Sequence, residues 1–148
     1  MIEIETYLRG ADGEFVQVEG CTTRPVDGDY VEGTVRNAIH GVEVTGLREW
    51  DYVGQLWAYM AGMAPQLSAT GHASTYFPDQ PIELSFRRQG SQVLVSVRIG
   101  SEVKKANVSG SSFIDALRAA GTAFFDKMSE LLPENMDSYS ESRRELLS

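Results

Sequence analysis

Residues able to carry out chemistry are few in this sequence, and they stand far apart. The chain of 148 residues has two histidines, His40 and His72, and one cysteine, Cys21, each in a different stretch. Zinc sites usually show closely spaced ligands such as CxxC or HExxH, and neither pattern is present. We therefore expect no metal site, although convergence of these three side chains in the fold would provide ligands for one.

Nucleophile and phosphate-binding motifs are also missing. The nearest match to the GxSxG turn of serine hydrolases is the segment 108–112, VSGSS, which fits the start of a helix better. Neither GxxxxGK[ST] nor GxGxxG occurs, so nucleotide binding has no support. We expect no catalytic residue, no cofactor and no enzymatic activity.

Two carboxylates, Glu49 and Asp51, flank Trp50 and precede Tyr52. The aromatic neighbours could desolvate one carboxylate and raise its pKa, as acid–base catalysis requires. The same position suits the N-terminus of a helix, where acidic groups complement the helix dipole. We favour the structural role at a helix terminus.

The segment from Tyr76 to Ile82 contains two prolines three residues apart, with Asp79 and Gln80 between them. Prolines fix the backbone and restrict the residues before them, so this connection should be rigid. It is either a recognition loop or a stiff turn that sets the register of neighbouring strands.

Alternating apolar and polar residues predict strands in the first third of the chain. Segments 2–9 and 14–19 form one β-hairpin, and segments 30–35 and 39–44 form a second through Asn37. The pattern then changes to spacings of three and four residues from Trp50 to Leu67. This predicts an amphipathic helix from about Glu49 to about Leu67, with Pro65 distorting its last turn.

The rest of the chain predicts an antiparallel meander followed by a second helix. The strands are 72–77, 81–88, 92–99 and 103–108. The helix begins at Ser111 or Ser112 with Asp115 completing a capping box, and it stops before Pro133. We expect one α+β domain over 1–132, an antiparallel β-meander sheet packed with two amphipathic helices, and a polar C-terminal tail over 133–148 that is mobile or helical.

The charge of the chain is unevenly distributed. The net charge is −8, and residues 1–51 hold eleven acids against four arginines. This field repels nucleic acid and attracts basic proteins, unless it serves solubility alone. No apolar window approaches the length of a membrane span. A single cysteine cannot form an internal disulfide, so the fold does not need an oxidising compartment. We therefore expect a cytoplasmic protein without membrane contact.

The acidic N-terminal portion, the lack of chemistry and the single domain together resemble the small immunity proteins of bacterial polymorphic and contact-dependent toxin systems. The segments 50–57 and 77–81 also resemble an uncharacterised bacterial family. The first resemblance implies that an acidic and aromatic surface occludes a cognate basic protein, a toxin domain. The candidate partner-binding residues are Glu14, Glu19, Asp27, Asp29, Tyr30, Glu32, Tyr76 and Asp79.

A small-ligand-binding or enzymatic α+β domain is the alternative function. In that case a curved sheet would close over the two helices and leave a pocket between them, lined by His72, Glu83, Arg87 and Arg98. A homodimer built through an exposed strand edge is compatible with either function.

Overall fold

The computed structural model describes all residues, 1–148. The strands of its first sheet are β1 (Ile2–Arg9), β2 (Phe15–Gln17), β3 (Glu32–Ile39), β4 (Val42–Thr45) and β5 (Asp51–Tyr52). Their order is β2-β1-β3-β4, with the short β5 paired to the start of β3, and every pairing is antiparallel. The alternating pattern of the first third of the chain therefore forms one sheet.

The second predicted hairpin exists, but its turn is not at Asn37. Strand β3 runs through Asn37, and the chain reverses at His40 and Gly41, which both have positive φ, at 49° and 84°. Two consecutive positive φ angles are typical of the tight turns whose twist matches that of the flanking strands. The side chain of Asn37 is buried instead, and its Oδ1 accepts no hydrogen bond.

The first helix, α1 (Val53–Thr70), begins and ends later than predicted. Its start is delayed because Asp51 and Tyr52 pair with β3, and the amide of Val53 then donates to the Val31 carbonyl at 2.9 Å. Trp50 therefore lies outside the helix. Pro65 is accommodated inside it, and the helix ends at Gly71, whose φ of 80° suits a residue without a β-carbon.

The second sheet consists of the strands β6 (His72–Tyr76), β7 (Ile82–Gln89), β8 (Gln92–Ile99) and β9 (Glu102–Ser109). It is the predicted meander, in the order β6-β7-β8-β9. Gly90 and Gly100, with φ of 64° and 62°, lie in the turns that flank β8. The prediction of an antiparallel meander is confirmed.

Two helices complete the chain, α2 (Gly110–Leu131) and α3 (Met136–Leu146). The predicted capping box is wrong: α2 begins at Gly110, so Ser111 and Ser112 lie inside its first turn, and no side chain caps the helix. Pro133 follows the end of α2 as predicted. The segment after it folds into α3, which packs on α1 and α2 and buries Tyr139 and Leu146.

Helices α1 and α2 each contact both sheets, and the edge strands β4 and β9 lie side by side without ladder hydrogen bonds. The core contains five fully buried aromatic residues, Trp57, Phe86, Phe113, Phe124 and Phe125. The indole nitrogen of Trp57 donates to Thr6 Oγ1 at 3.0 Å, which satisfies its only polar group. The fold is thus α+β as expected, with two sheets and a third helix. None of the helices has the length and hydropathy needed to cross a bilayer.

Candidate functional site

A cleft of about 910 Å³ lies between the β1–β2 hairpin and the irregular segment 20–31. Three apolar side chains that line it are strongly exposed: Val26 at 90%, Tyr30 at 56% and Val16 at 47%. Isolated exposed apolar residues are ordinary on protein surfaces, but several around one concave surface are typical of an interaction site. We call this concave surface the N-terminal cleft.

The charged groups of the N-terminal cleft are unequally available. Its cations are both engaged, because Arg9 Nη1 lies 3.0 Å from Glu32 Oε1 and Arg24 pairs with Glu134. Asp12 and Asp27 also line the cleft, and neither forms an ion pair. Their carboxylates accept the amides of Glu14 and Asp29 at 3.0 and 2.9 Å, which fixes both turns. The unneutralised charge in this cleft is therefore negative.

A second depression of about 370 Å³ adjoins this cleft and shares Glu32 and Tyr52 with it. Its other lining residues are Arg48, Trp50, Asp51, Asp79 and Gln80. The guanidinium of Arg9 lies 4.4 Å from the centre of the Trp50 ring, a cation–π distance. Arg9 therefore links the two depressions by contacting Glu32 and Trp50 together.

Asp51 holds the proline-bounded connection in place. Asp51 is 3% exposed, and its carboxylate accepts the backbone amides of Tyr52 at 2.6 Å and of Asp79 and Gln80 at 3.1 Å. The side-chain amide of Gln80 returns a hydrogen bond to the Trp50 carbonyl. The structural role favoured for Asp51 therefore extends beyond the helix terminus, because this carboxylate accepts the amide of Tyr52, directly before α1, and also caps a distant loop.

Glu49 also has a structural role away from α1. It is buried, its Oε1 accepts the Gly46 amide at 3.2 Å, and it lies 3.7 Å from Nζ of Lys104 on β9. The contact joins the segment between β4 and β5 of the first sheet to β9, an edge strand of the second sheet. Neither carboxylate of the Glu49–Asp51 pair is thus exposed to a substrate.

Two tyrosines stand where the depressions meet. The rings of Tyr30 and Tyr52 are 5.3 Å apart in an edge-to-face arrangement. The carboxylate of Asp79 raises the pKa of the Tyr52 hydroxyl, and burial, Glu32 and Asp51 act in the same direction. A raised pKa reports a negative potential at the hydroxyl. An aromatic surface with a negative potential suits a cationic side chain from a partner.

The structure distributes the eight candidate partner-binding residues unevenly. Asp27, Tyr30 and Glu32 line the N-terminal cleft, and Asp79 lines the second depression together with Glu32. The other acids, Glu14, Glu19 and Asp29, are exposed on the flanking turns and form no ion pair. Tyr76 lies apart from both depressions: it is opposite Glu83 on β7, 56% exposed.

Sequence reasoning missed several residues of this surface: Val16, Val26, Tyr52 and the Arg9–Trp50 pair. The exposure of Val26 could have been predicted, since an apolar residue in a turn-rich polar passage rarely reaches the core. The place of Trp50 could not, because its spacing fitted the apolar stripe of the following helix.

Cys21 lines the N-terminal cleft but is a poor nucleophile. The thiol is buried, with the carbonyl oxygens of Gln17 and Val16 at 3.5 and 3.7 Å from Sγ. Burial raises the pKa of the thiol, outweighing the opposite effect of Lys127. A protonated, shielded thiol is typical of a structural cysteine.

The polar residues proposed for an enzymatic pocket lie elsewhere. Glu83 accepts from Arg98 at 2.6 Å across β7 and β8, while His72 and Arg87 are exposed neighbours on the same sheet face. None of the four lines either depression. His40 lies on its tight turn, where Nδ1 is 2.7 Å from the terminal amine of Met1. No group of three or more potential ligands that could hold a metal comes together.

Comparison with known proteins adds no relationship: no family model, curated protein or solved structure matches this chain.

Proposed function

We propose that this protein is a non-enzymatic protein-binding module, an immunity protein that neutralises a cognate basic toxin in the cytoplasm by occluding it. The observation that carries the proposal is the N-terminal cleft, where exposed Val16, Val26 and Tyr30 are surrounded by uncompensated acids. Protein-binding hot spots have this composition, with apolar and aromatic anchors at the centre and polar groups at the rim.

The charge distribution supports a basic partner. Glu14, Glu19 and Asp29 are exposed and unpaired, so their charges act outward on an approaching molecule. Such charges increase the rate of association with a cationic protein and make it depend on salt. Glu32 contributes less, because Arg9 already neutralises it.

Rigidity of the surroundings supports tight binding. The loop that carries Asp79 is fixed by Asp51, and Tyr30 is braced against Tyr52. Side chains held in place before association lose less entropy when a partner binds. The surface formed by the N-terminal cleft and the second depression therefore has the preorganisation that an occluding inhibitor needs.

A small-ligand-binding role is the second candidate, because about 910 Å³ lies within the volumes of drug-sized pockets. Two observations argue against it: irregular loops form one side of the cleft, and its one thiol, Cys21, is shielded. This role would require polar groups that converge on one bound molecule.

The test uses the purified chain and the protein encoded immediately upstream of its gene. Calorimetry at low and physiological salt should show stoichiometric binding that weakens as salt rises, and co-expression should abolish the neighbour's toxicity. Tyr30→Ala should weaken binding by about tenfold or more. Tyr59→Ala is the matched control, since Tyr59 is exposed on α1 and lines neither depression. Equal effects of the two variants, or no binding to the neighbour, would contradict the proposal.

A further inference from the structure

Strand β6, with the sequence HASTY, forms one edge of the second sheet and pairs only with β7. It contains no charged residue and no proline, the features that usually protect a strand edge from pairing. The other edges are protected: β2 has three residues, the part of β1 that extends beyond β2 carries Glu3 and Glu5, and β4 and β9 lie against each other. The edge of β6 is therefore the one without a protective feature.

The hydrogen bonds at the ends of β6 establish which of its backbone groups face outward. The Gly71 carbonyl accepts from the Arg88 amide of β7 at 2.8 Å, and the Phe77 amide donates to the carbonyl of Ile82, the first residue of β7, at 2.9 Å. Both bonds follow the register that continues through the strand. In an antiparallel pair, alternate residues bond to the partner. Ala73 and Thr75 therefore bond to β7.

The intervening residues, His72, Ser74 and Tyr76, direct their backbone groups to the free edge. The Thr70 hydroxyl donates to the His72 carbonyl at 2.8 Å, and the Thr75 hydroxyl donates to the Tyr76 carbonyl at 3.1 Å. This leaves both backbone groups of Ser74 and the amide of Tyr76 without a protein partner. Because buried backbone groups are almost always paired, these groups face solvent.

We propose that two copies of this protein associate through β6, antiparallel and centred on Ser74. The two-fold axis makes each Ser74 amide donate to the Ser74 carbonyl of the other copy. It also directs the Tyr76 amide toward the His72 carbonyl of the second copy, which can accept a second bond. The two four-stranded meanders become one continuous sheet.

The side chains on the outer face fit this register. His72 is paired with Arg87 on β7, and Tyr76 is paired with Glu83. In the dimer, His72 lies opposite Tyr76 of the second copy. The cross-strand pair of Arg87 and His72 therefore continues into the pair of Tyr76 and Glu83 of the second copy, which places a basic pair beside an acidic one. Like charges do not meet across the axis, because Ser74 occupies it.

This dimer is independent of the proposed function. No β6 residue lines the N-terminal cleft, which stays open in the pair. Each copy carries a net charge of −8, so dimerisation strengthens as added salt screens the repulsion. Binding of a basic partner weakens under the same change, which separates failure of one proposal from failure of the other.

Sedimentation equilibrium of the full chain over a range of concentrations tests the proposal. The native protein should show a monomer–dimer equilibrium. Ser74→Pro removes the edge-facing amide without removing a bond to β7, and it should weaken the dimer about tenfold or more. Ser74→Ala keeps the amide and should dimerise as the native chain does. A native chain that stays monomeric, or a folded Ser74→Pro variant that dimerises unchanged, overturns the proposal.

Cross-linking tests the register without relying on the proline variant. A short bismaleimide should join two copies of Ser74→Cys, since residues in such a pair are about 5.5 Å apart between α-carbons. Asn107→Cys, exposed on β9 at the other side of the same sheet, is the control and should stay monomeric. Cross-linking of both variants to the same extent, or of neither, contradicts a β6 interface.

Discussion

The carboxylate of Asp51 accepts the backbone amide of Asp79, 28 residues further along the chain. This contact ties the start of α1 to the loop between β6 and β7, and so connects the first sheet to the second. It also places Asp79, Tyr52 and Glu32 around one depression. A residue that resembles half of a catalytic pair thus builds the surface on which partner binding is proposed.

Asp51→Ala should lower the free energy of unfolding by about 2–4 kcal/mol, because it leaves buried amides without an acceptor. Urea denaturation measures the loss. Asp79→Ala is the control: the contact uses only the backbone of Asp79, and its exposed side chain can be removed at a cost of about 0.5 kcal/mol or less. Similar losses for both variants would show that the carboxylate does not hold the loop.

The last helix offers a test with adjacent residues. Leu146 is fully buried, whereas Leu147 is 45% exposed. Leu146→Ala should cost about 2–4 kcal/mol of unfolding free energy through lost packing against α2, and Leu147→Ala should cost well under half as much. Thermal and urea unfolding compare the two. Equal, small losses would mean that α3 contributes little to the core.

Gly33 allows no side chain. A β-carbon there would lie 2.2 Å from the Tyr7 carbonyl oxygen and 2.9 Å from Val53 Cγ1. Because the first obstacle is backbone, Gly33→Ala should destabilise the fold by about 3 kcal/mol or more. Gly20→Ala is the matched control, since nothing lies within 4 Å of its added carbon. Urea midpoints measure both variants, and a Gly33→Ala protein as stable as Gly20→Ala would contradict the close approach.

The free energy of unfolding should fall as the pH becomes alkaline, in part because of Cys21. Burial raises the pKa of its thiol in the folded state above the ordinary value. The contribution is therefore fully present below the unfolded pKa and is lost as pH rises towards the folded one, because only the unfolded chain ionises in that interval. Urea unfolding between about pH 7.5 and 9.5 should show a steeper decline for the native chain than for Cys21→Ala. Parallel declines would contradict a raised pKa.

Local pattern was sufficient to predict much of the fold. Apolar and polar residues alternate along β1 and β8, and apolar residues such as Leu56, Trp57 and Met60 recur at helical spacing in α1. These local patterns indicate which face of each element meets the core. The start of α1 could not be predicted. Residues 51–52 pair with β3, and this long-range contact overrides the helical spacing that begins at Trp50.

The candidate site was less predictable than the fold. Charge drew attention to Asp27 and Glu32, and aromatic character to Tyr30, and all three line one cleft. The neutralisation of Glu32 by Arg9 arises from strand pairing, which no local pattern encodes. The division into two sheets could not be predicted either, because it depends on the lack of ladder hydrogen bonds between β4 and β9, which are distant in the sequence.

The junction of β4 and β9, which lacks ladder hydrogen bonds, has a consequence for the order of folding. Strands β6 to β9 and helix α2 are consecutive and joined by short connections, so their contacts cost little chain entropy. The first sheet shares no ladder with them and must join through side chains and helices. We expect pulsed hydrogen exchange to protect the amides of β8 before those of β1, so that the N-terminal cleft is completed last.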